Sequence, residues 1–228
     1  MNLFEQVGFL FSNYNIPAAF WVNIQLTFWA AIGAFVIGTA LGLMRVAPVA
    51  SLRWLGASYV TIFRNTPLTV LMTFAVLGVW SQLKITFAQD FATNFFIYAV
   101  VVLAIYHAAF VCEAVRSGIN TVPLGQAEAA RAIGLPFLPA ATLVLLPQAF
   151  RGAVAPLGNV LIALIKNTTV AAAASVAVET SSVMRSMIEV NSNMVFLIFM
   201  IFALGYVILV VPVGVLSTSL SRKLAVSR

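Results

Sequence analysis

At 228 residues, with 62% of them apolar, 8% charged and a mean hydropathy of +1.06, the chain is far from a soluble domain, in which about a quarter of residues carry charge. The formal charge of +6 and pI near 10.0 arise from basic residues scattered near the ends of apolar segments, which argues against a nucleic-acid partner and for a membrane orientation signal. A spanning helix takes roughly 20 apolar residues, so the length admits an all-α integral membrane protein with about five or six spans at most, as a single domain over residues 1–228.

The opening run MNLFEQVGFLFSNYNIPAAFWV has no basic residue ahead of its apolar stretch, unlike a cleavable signal peptide, so the first span is expected to be retained. That span is placed at 18–44 and carries Gly38 and Gly42 four apart, a spacing that lets another helix approach closely. Arg45, Arg53 and Arg64 then flank an amphipathic stretch, and Pro67 starts or kinks a second span at 66–82. In FRNTPL, Asn65 and Thr66 are expected to cap the helix that Pro67 begins. A gating role for Arg64, Asn65, Thr66 and Pro67 is the alternative. A polar interval with Lys84, Gln89, Asp90 and Asn94 leads to the third span, 95–115, which holds His107 and Cys112. His107 either relays protons or bonds to a neighbouring helix, and Cys112 is expected to be packing. Glu113 and Arg116, three apart at the inner end of this span, suit a local ion pair, with gating again the alternative for Glu113. The fourth span is placed at 152–176 and the fifth at 194–217. Between them VETSSVMRSMIEVNSN is amphipathic, and either lies along the outer interface or re-enters the membrane.

Five spans put the termini on opposite sides. The basic tail, Arg222, Lys223 and Arg228, assigns the C-terminus to the cytoplasm and the N-terminus to the outside. Arg45, Arg53, Arg116, Arg131 and Arg151 then also fall inside, while the outer connections hold Lys84 and Arg185 with Glu5, Asp90, Glu179 and Glu189. The stretch GQAEAARAIGLP, within a polar loop at 117–147, is thereby cytoplasmic.

With one His, one Cys and six acidic residues, a metal cluster is hard to assemble. No serine elbow, HExxH or phosphate-cradling Gly-Lys-Ser/Thr loop is present, so catalysis by this chain is not expected and any ATP hydrolysis falls to another subunit. The polar anomaly inside the membrane is LGNVLIALIKNTTVA. Lys166 falls mid-span, where a charge costs about 2.5 to 3.5 kcal/mol, and Asn159, seven residues earlier, shares its helical face. With Asn167, Thr168 and Thr169 these residues form a candidate lining for an anionic or zwitterionic solute. The other reading has Lys166 satisfying helix-end carbonyls at a break in the span.

From Glu128 the chain reads Glu-Ala-Ala, three residues, Gly134, nine residues, Val144, one residue, Leu146-Pro147. This resembles the EAA signature of inner-membrane permease subunits of ATP-binding-cassette (ABC) importers, with Val144 where isoleucine is usual. RNTPL resembles the Arg-Gly-Thr-Pro-Leu segment of the polar amino acid branch, with Asn65 for Gly. ALIKNTT resembles that branch's Lys-Asp-Thr-Ser region, with Asn167 for Asp and Thr169 for Ser. RSGINTV, GQAEAAR, PLGN and ALIKNTT together look most like the glutamate-importer permeases of Gram-positive bacteria.

The resemblance implies an ABC importer type I permease fold of five transmembrane helices and a cytoplasmic coupling helix. That helix, with Gln126, Glu128, Ala129, Ala130, Arg131 and Gly134, would dock in a cleft of the ATPase. Its alanines favour helix without bulk, and Gly134 suits the turn that ends it. The implied partners are ABC ATPase subunits, a second permease, identical or homologous, an extracytoplasmic solute-binding protein, membrane lipid and a polar amino acid. No cofactor is expected on this chain, ATP and Mg being used by the ATPase. The implied location is the bacterial inner or plasma membrane. Some relatives that import basic amino acids carry an acidic residue directly after the Asn matching Asn159; here Val160 stands there, which with Lys166 favours an acidic substrate. An ATP-independent carrier or channel is the competing reading, and a membrane enzyme on a lipid-linked substrate the third.

Overall fold

In a bilayer, backbone N–H and C=O groups find no water, and a chain this apolar satisfies them within its own helices. A computed structural model describes residues 2–224, and among the described residues there is no strand. Arg228, part of the basic tail used for orientation, lies outside them. The helices in chain order are α1 Leu3–Asn13, α2 Ile16–Val46, α3 Ala50–Asn65, α4 Leu68–Phe74 continuing as a π-helix over Ala75–Gln82, and α5 Phe91–Ile119. Then follow α6 Leu124–Ala132, the single turn α7 Phe137–Pro139 with a π-helix over Ala140–Leu145, and α8 Leu146–Asn167 with a 3-10 helix over Thr168–Ala174. The last elements are α9 Thr180–Val190, a 3-10 turn Ser192–Met194, and α10 Val195–Leu224. Four helical stretches are long and apolar enough to cross a membrane, and the pair α3 with α4, broken at Thr66 and Pro67, makes a fifth when taken as one span. The expected all-α, five-span membrane fold is what the chain adopts.

α1 was not anticipated. The Asn2 carboxamide oxygen accepts the Glu5 N–H at 2.9 Å while the Glu5 carboxylate accepts the Asn2 N–H at 3.0 Å. This reciprocal capping box satisfies two of the donors a helix start leaves open.

The chain forms two compact units, each drawn from three stretches. The first takes the chain through Ala30, Leu68–Leu103 and Leu164–Val211. Its apolar centre joins Leu10 of α1 and Ile16 of α2 to Met187 of α9 and Met194, Ile198 and Phe202 near the start of α10. Phe20 stacks on Phe202 at 5.8 Å and meets Tyr206 edge-on at 5.6 Å, packing directly against Gly205. Ahead of α5, the buried Asn94 accepts the Phe87 N–H at 2.8 Å and Tyr98 donates to the Ile85 carbonyl at 2.7 Å, which folds the polar loop onto the helix. Within the segment 178–193, Thr180–Val190 forms α9, with Thr180 and Met187 buried in this unit.

The second unit takes Ala31–Pro67, Ala104–Ala163 and the chain from Pro212 onward. Here α2 and α5 meet along a seam of small residues. A Cβ on Gly33 would lie 2.9 Å from that of Ala104, and one on Gly42 would lie 3.1 Å from Val115. Gly38 faces Val111 and the Ala108 carbonyl oxygen more closely still. The Gly38 and Gly42 spacing thus does mark a close helix approach, the usual basis of helix association in lipid. α5 touches α8 where Gly118 meets the Ala149 carbonyl, and α8 touches α10 where Gly158 meets Ser217. Cys112 is fully buried beside Leu41, Val60 and Ala108, and His107, 1% exposed, packs with the Tyr106 ring at 5.1 Å.

Candidate functional site

The EAA stretch folds as α6, within the second unit. Gln126, Glu128, Ala129 and Arg131 are exposed, whereas Ala130 is 4% exposed and faces the unit. Gly134 adopts φ +87°, a left-handed conformation open to glycine at little cost. The Gly134 N–H donates to the Arg131 carbonyl at 3.0 Å and the Leu135 N–H to the Ala130 carbonyl at 3.1 Å. That pair of bonds is a Schellman ending, and it stops the helix where the sequence predicted. Leu124 and Ile133, 83% and 79% exposed, bracket the polar residues with apolar ones. A short helix carrying such a mixed face is suited to a protein cleft.

Also in the second unit, Arg64 lies over the Phe110 ring at 5.7 Å. Asn65 and Thr66 do not cap the next helix: Asn65 Nδ2 donates to the Thr61 carbonyl and Thr66 Oγ1 to the Ile62 carbonyl, both at 2.8 Å. Their reach backward has a physical cause, because Pro67 cannot continue the α3 ladder and the last carbonyls of α3 are left needing donors. Glu113 pairs with Arg116 at 2.9 Å as its spacing predicted, but it also takes Arg45 of α2 at 2.6 Å. One carboxylate therefore ties two guanidinium groups on two helices, and the triad keeps one net positive charge.

In the first unit α8 gives way to the 3-10 helix just after Lys166 and Asn167. Thr168 Oγ1 donates to the Ile165 carbonyl at 2.7 Å and Thr169 Oγ1 to the Lys166 carbonyl at 2.9 Å. The helix-end carbonyls are thus met by the two threonines and not by Lys166. The Lys166 side chain is exposed, and among the described residues its ammonium has no ion-pair partner. Thr168, by contrast, is fully buried with its hydroxyl engaged. Asn167 and Thr169 are half-buried. Asn159 is exposed on the part of α8 that belongs to the second unit.

Behind Thr168 lies a polar cluster the sequence reading passed over. Asn23 of α2, 1% exposed, directs its amide at Thr168 Oγ1, Thr180 Oγ1 and Tyr206 OH at 2.9, 2.8 and 2.5 Å. The adjoining Glu179 is fully buried and caps α9, accepting the Ser181 and Ser182 N–H groups at 2.9 and 2.6 Å. Burial pushes its carboxyl up from the ordinary glutamate range, and those two N–H groups act against the push. A buried amide in an apolar span is a signal of the same kind as Lys166, and it was available in FWVNIQLTF. Among the described residues no group of three His, Cys, Asp or Glu side chains is placed to hold a metal ion.

The profile described as binding-protein-dependent transport system inner membrane component matches residues 34–226. The chain is 47% identical over 215 residues to a glutamate transport system permease protein of Corynebacterium efficiens, covering 92% of this chain and 94% of the relative. It is 31% identical over 219 residues to a probable glutamine ABC transporter permease protein of Bacillus subtilis, covering 96% and 97%. A solved structure described as an amino acid ABC transporter with histidines superposes with a TM-score of 0.79 at 23% identity, over 98% of this chain and 99% of the other. That similarity is one of fold.

Proposed function

We propose, from the premise that the chain belongs to the binding-protein-dependent transport system inner membrane component family, that its cargo is glutamate. The chain is a permease subunit of an ABC amino acid importer, and ATP hydrolysis is the work of separate ATPase subunits. In the proposed assembly, two permeases, the second identical or homologous, sit in the bacterial inner membrane with the N-terminus outside and the C-terminus in the cytoplasm. A solute-binding protein delivers the amino acid, and the ATPase grips α6 through Gln126, Glu128 and Arg131, with Gly134 setting where the helix stops.

The observation carrying the cargo assignment is the extensive identity with a glutamate permease. Lys166, exposed and with no ion-pair partner among the described residues, supports it chemically. A cation in a spanning segment is retained where it meets a polar route or an opposite charge, and an α-amino acid with a side-chain carboxylate supplies that charge. Asn167 and Thr169 add neutral hydrogen-bonding groups.

The test is reconstitution with the ATPase, the second permease and the binding protein, followed by ATP-dependent uptake of labelled glutamate, glutamine, aspartate and arginine. Glutamate is expected to dominate, and Lys166→Met to weaken glutamate uptake more than glutamine uptake. Uptake that proceeds without the ATPase would sink the importer assembly, and arginine as sole cargo would overturn the acidic preference.

A further inference from the structure

The cluster around Asn23 can be resolved proton by proton. The amide has two hydrogens, and three hydroxyl oxygens lie within bonding distance of its nitrogen. Thr168 commits its own hydrogen to the Ile165 carbonyl, so its oxygen must act as acceptor toward Asn23. Thr180 Oγ1 lies 3.3 Å from Glu179 Oε2, and a carboxylate only accepts. Tyr206 OH and Thr180 Oγ1 lie 2.5 Å apart, so a consistent order has Tyr206 donating to Thr180 and Thr180 to Glu179. The second amide hydrogen of Asn23 then serves Tyr206, while Asn23 Oδ1 accepts the Thr180 N–H at 3.3 Å.

In this order Asn23 joins Thr168 to Thr180 of α9 and to Tyr206 of α10, and the Tyr206 hydroxyl, which also interacts with Thr168, adds a second tie to α10. Thr168 is in turn the first residue of the 3-10 helix and holds the carbonyl next to Lys166. An apolar core would fill the same space without the expense of burying an amide in a membrane span. What the amide adds is one defined geometry at Thr168, since hydrogen bonds are directional and dispersion contacts are not.

We propose that Asn23 is a positioning residue of the transport path. Through Thr168 it sets the turn that aims Lys166, and so contributes to the choice of an acidic over a neutral amino acid. This rests on the reading of Lys166 as part of the lining.

The test uses the assembled transporter with its ATPase, second permease and binding protein. Asn23→Leu keeps the branched shape and the number of side-chain heavy atoms and removes every bond of the cluster that passes through residue 23; Tyr206→Phe, which removes one hydroxyl, serves as the milder variant should the leucine fail to assemble. The loss of a net hydrogen bond corresponds to about a fivefold effect, and the expected result is a fall of that order in the ratio of glutamate to glutamine uptake. In a Lys166→Met background the same substitution should produce no further fall. A purely structural role would lower both uptakes alike and would act equally in either background, and that result would overturn the proposal. A second arm is independent of the cargo. In a Cys112→Ala, Lys166→Cys transporter, the rate of reaction with a hydrophilic maleimide is expected to shift by a similar factor on adding Asn23→Leu. If Lys166→Met leaves selectivity unchanged while the labelling rate shifts, Asn23 positions residue 166 and the lining role of Lys166 fails. If Lys166→Met alters selectivity while Asn23→Leu moves neither readout, the positioning role fails and the lining role stands.

Discussion

Gly38→Ala tests how tightly the α2–α5 seam is closed. The added methyl would sit 2.5 Å from Val111 Cβ, 2.6 Å from its Cγ1 and 2.7 Å from the Ala108 carbonyl oxygen. The valine has little freedom to turn away on a helix, and the carbonyl is fixed in its ladder. To reach an ordinary C···O separation of about 3.3 to 3.6 Å, the two backbones must part by roughly 0.6 to 0.9 Å at this point. A gap of that order forfeits about a quarter to a half of the dispersion attraction of each contact it opens. Overpacking of this kind costs about 1 to 3 kcal/mol, offset by up to about 1 kcal/mol from the better helix propensity of alanine, so a net loss of about 1 to 2 kcal/mol is expected. Cys112 is a built-in reporter, being the sole cysteine, fully buried on α5 with its carbonyl 3.7 Å from where a Gly42 Cβ would stand. The assay pairs thermal unfolding of the purified complex in detergent with the labelling rate of Cys112 by a small thiol reagent. The variant should unfold earlier and label faster. Gly125→Ala, in α6 with no atom within 4 Å of the added methyl, should do neither. A Gly38→Ala protein as stable and as slow to label as the parent would refute the reasoning.

Glu128→Lys reverses an exposed charge on α6 and should reduce copurification of the ATPase several-fold while the permease still inserts; undiminished copurification with normal uptake would remove α6 from the coupling role. Glu113→Gln strips the counter-charge from Arg45 and Arg116, and because all three side chains are partly solvated the expected loss is about 1 to 2 kcal/mol rather than that of a buried pair. A Glu113→Leu, Arg45→Met double variant should recover part of it in thermal unfolding, and a double variant weaker than either single one counts against the triad. Asp90 caps α5, and the Thr93 N–H and hydroxyl hold its carboxyl below the ordinary aspartate range. A folded value that is depressed stabilises above the unfolded value and fades as pH falls through the folded one. Melting curves from about pH 6 down to 3 should therefore show an acid loss that is smaller in Asp90→Asn, which is still able to cap.

The spans were legible because twenty apolar residues in a row have one use in a protein, and the Gly38 and Gly42 seam because small residues four apart fall on one helix face. The end of α6 was legible for a similarly local reason, the glycine that its left-handed residue requires. α1 escaped notice although Asn2 and Glu5 spell out a capping box, because its eleven residues are too few to make a span. Asn23 escaped for a different reason: its partners are 145, 157 and 183 residues away in sequence, and only the folded chain brings them together. The burial of Thr168 was not legible because the helix changes to 3-10 after Asn167, which turns the side chain inward. Arg45 went unpaired with Glu113 because the pair crosses between two helices, whereas Arg116 lay on the same one.

The π-helix over Ala140–Leu145 lies between α6 and α8 in the chain, with the Leu146 N–H reaching back five residues to Ala141 rather than four. A π turn takes in one residue more than an α turn, so this stretch is slack, length in excess of what an unbroken helix would need. Deleting a residue there should let the turn relax to α while the helix on either side keeps its phase. The same deletion inside α8 would rotate everything beyond it by about 100°, swinging polar side chains into lipid. Within this helical stretch, tolerance for a change in chain length is therefore concentrated in these six residues, the natural place for an insertion or deletion to separate one relative from another without disturbing what each end of the helix must face.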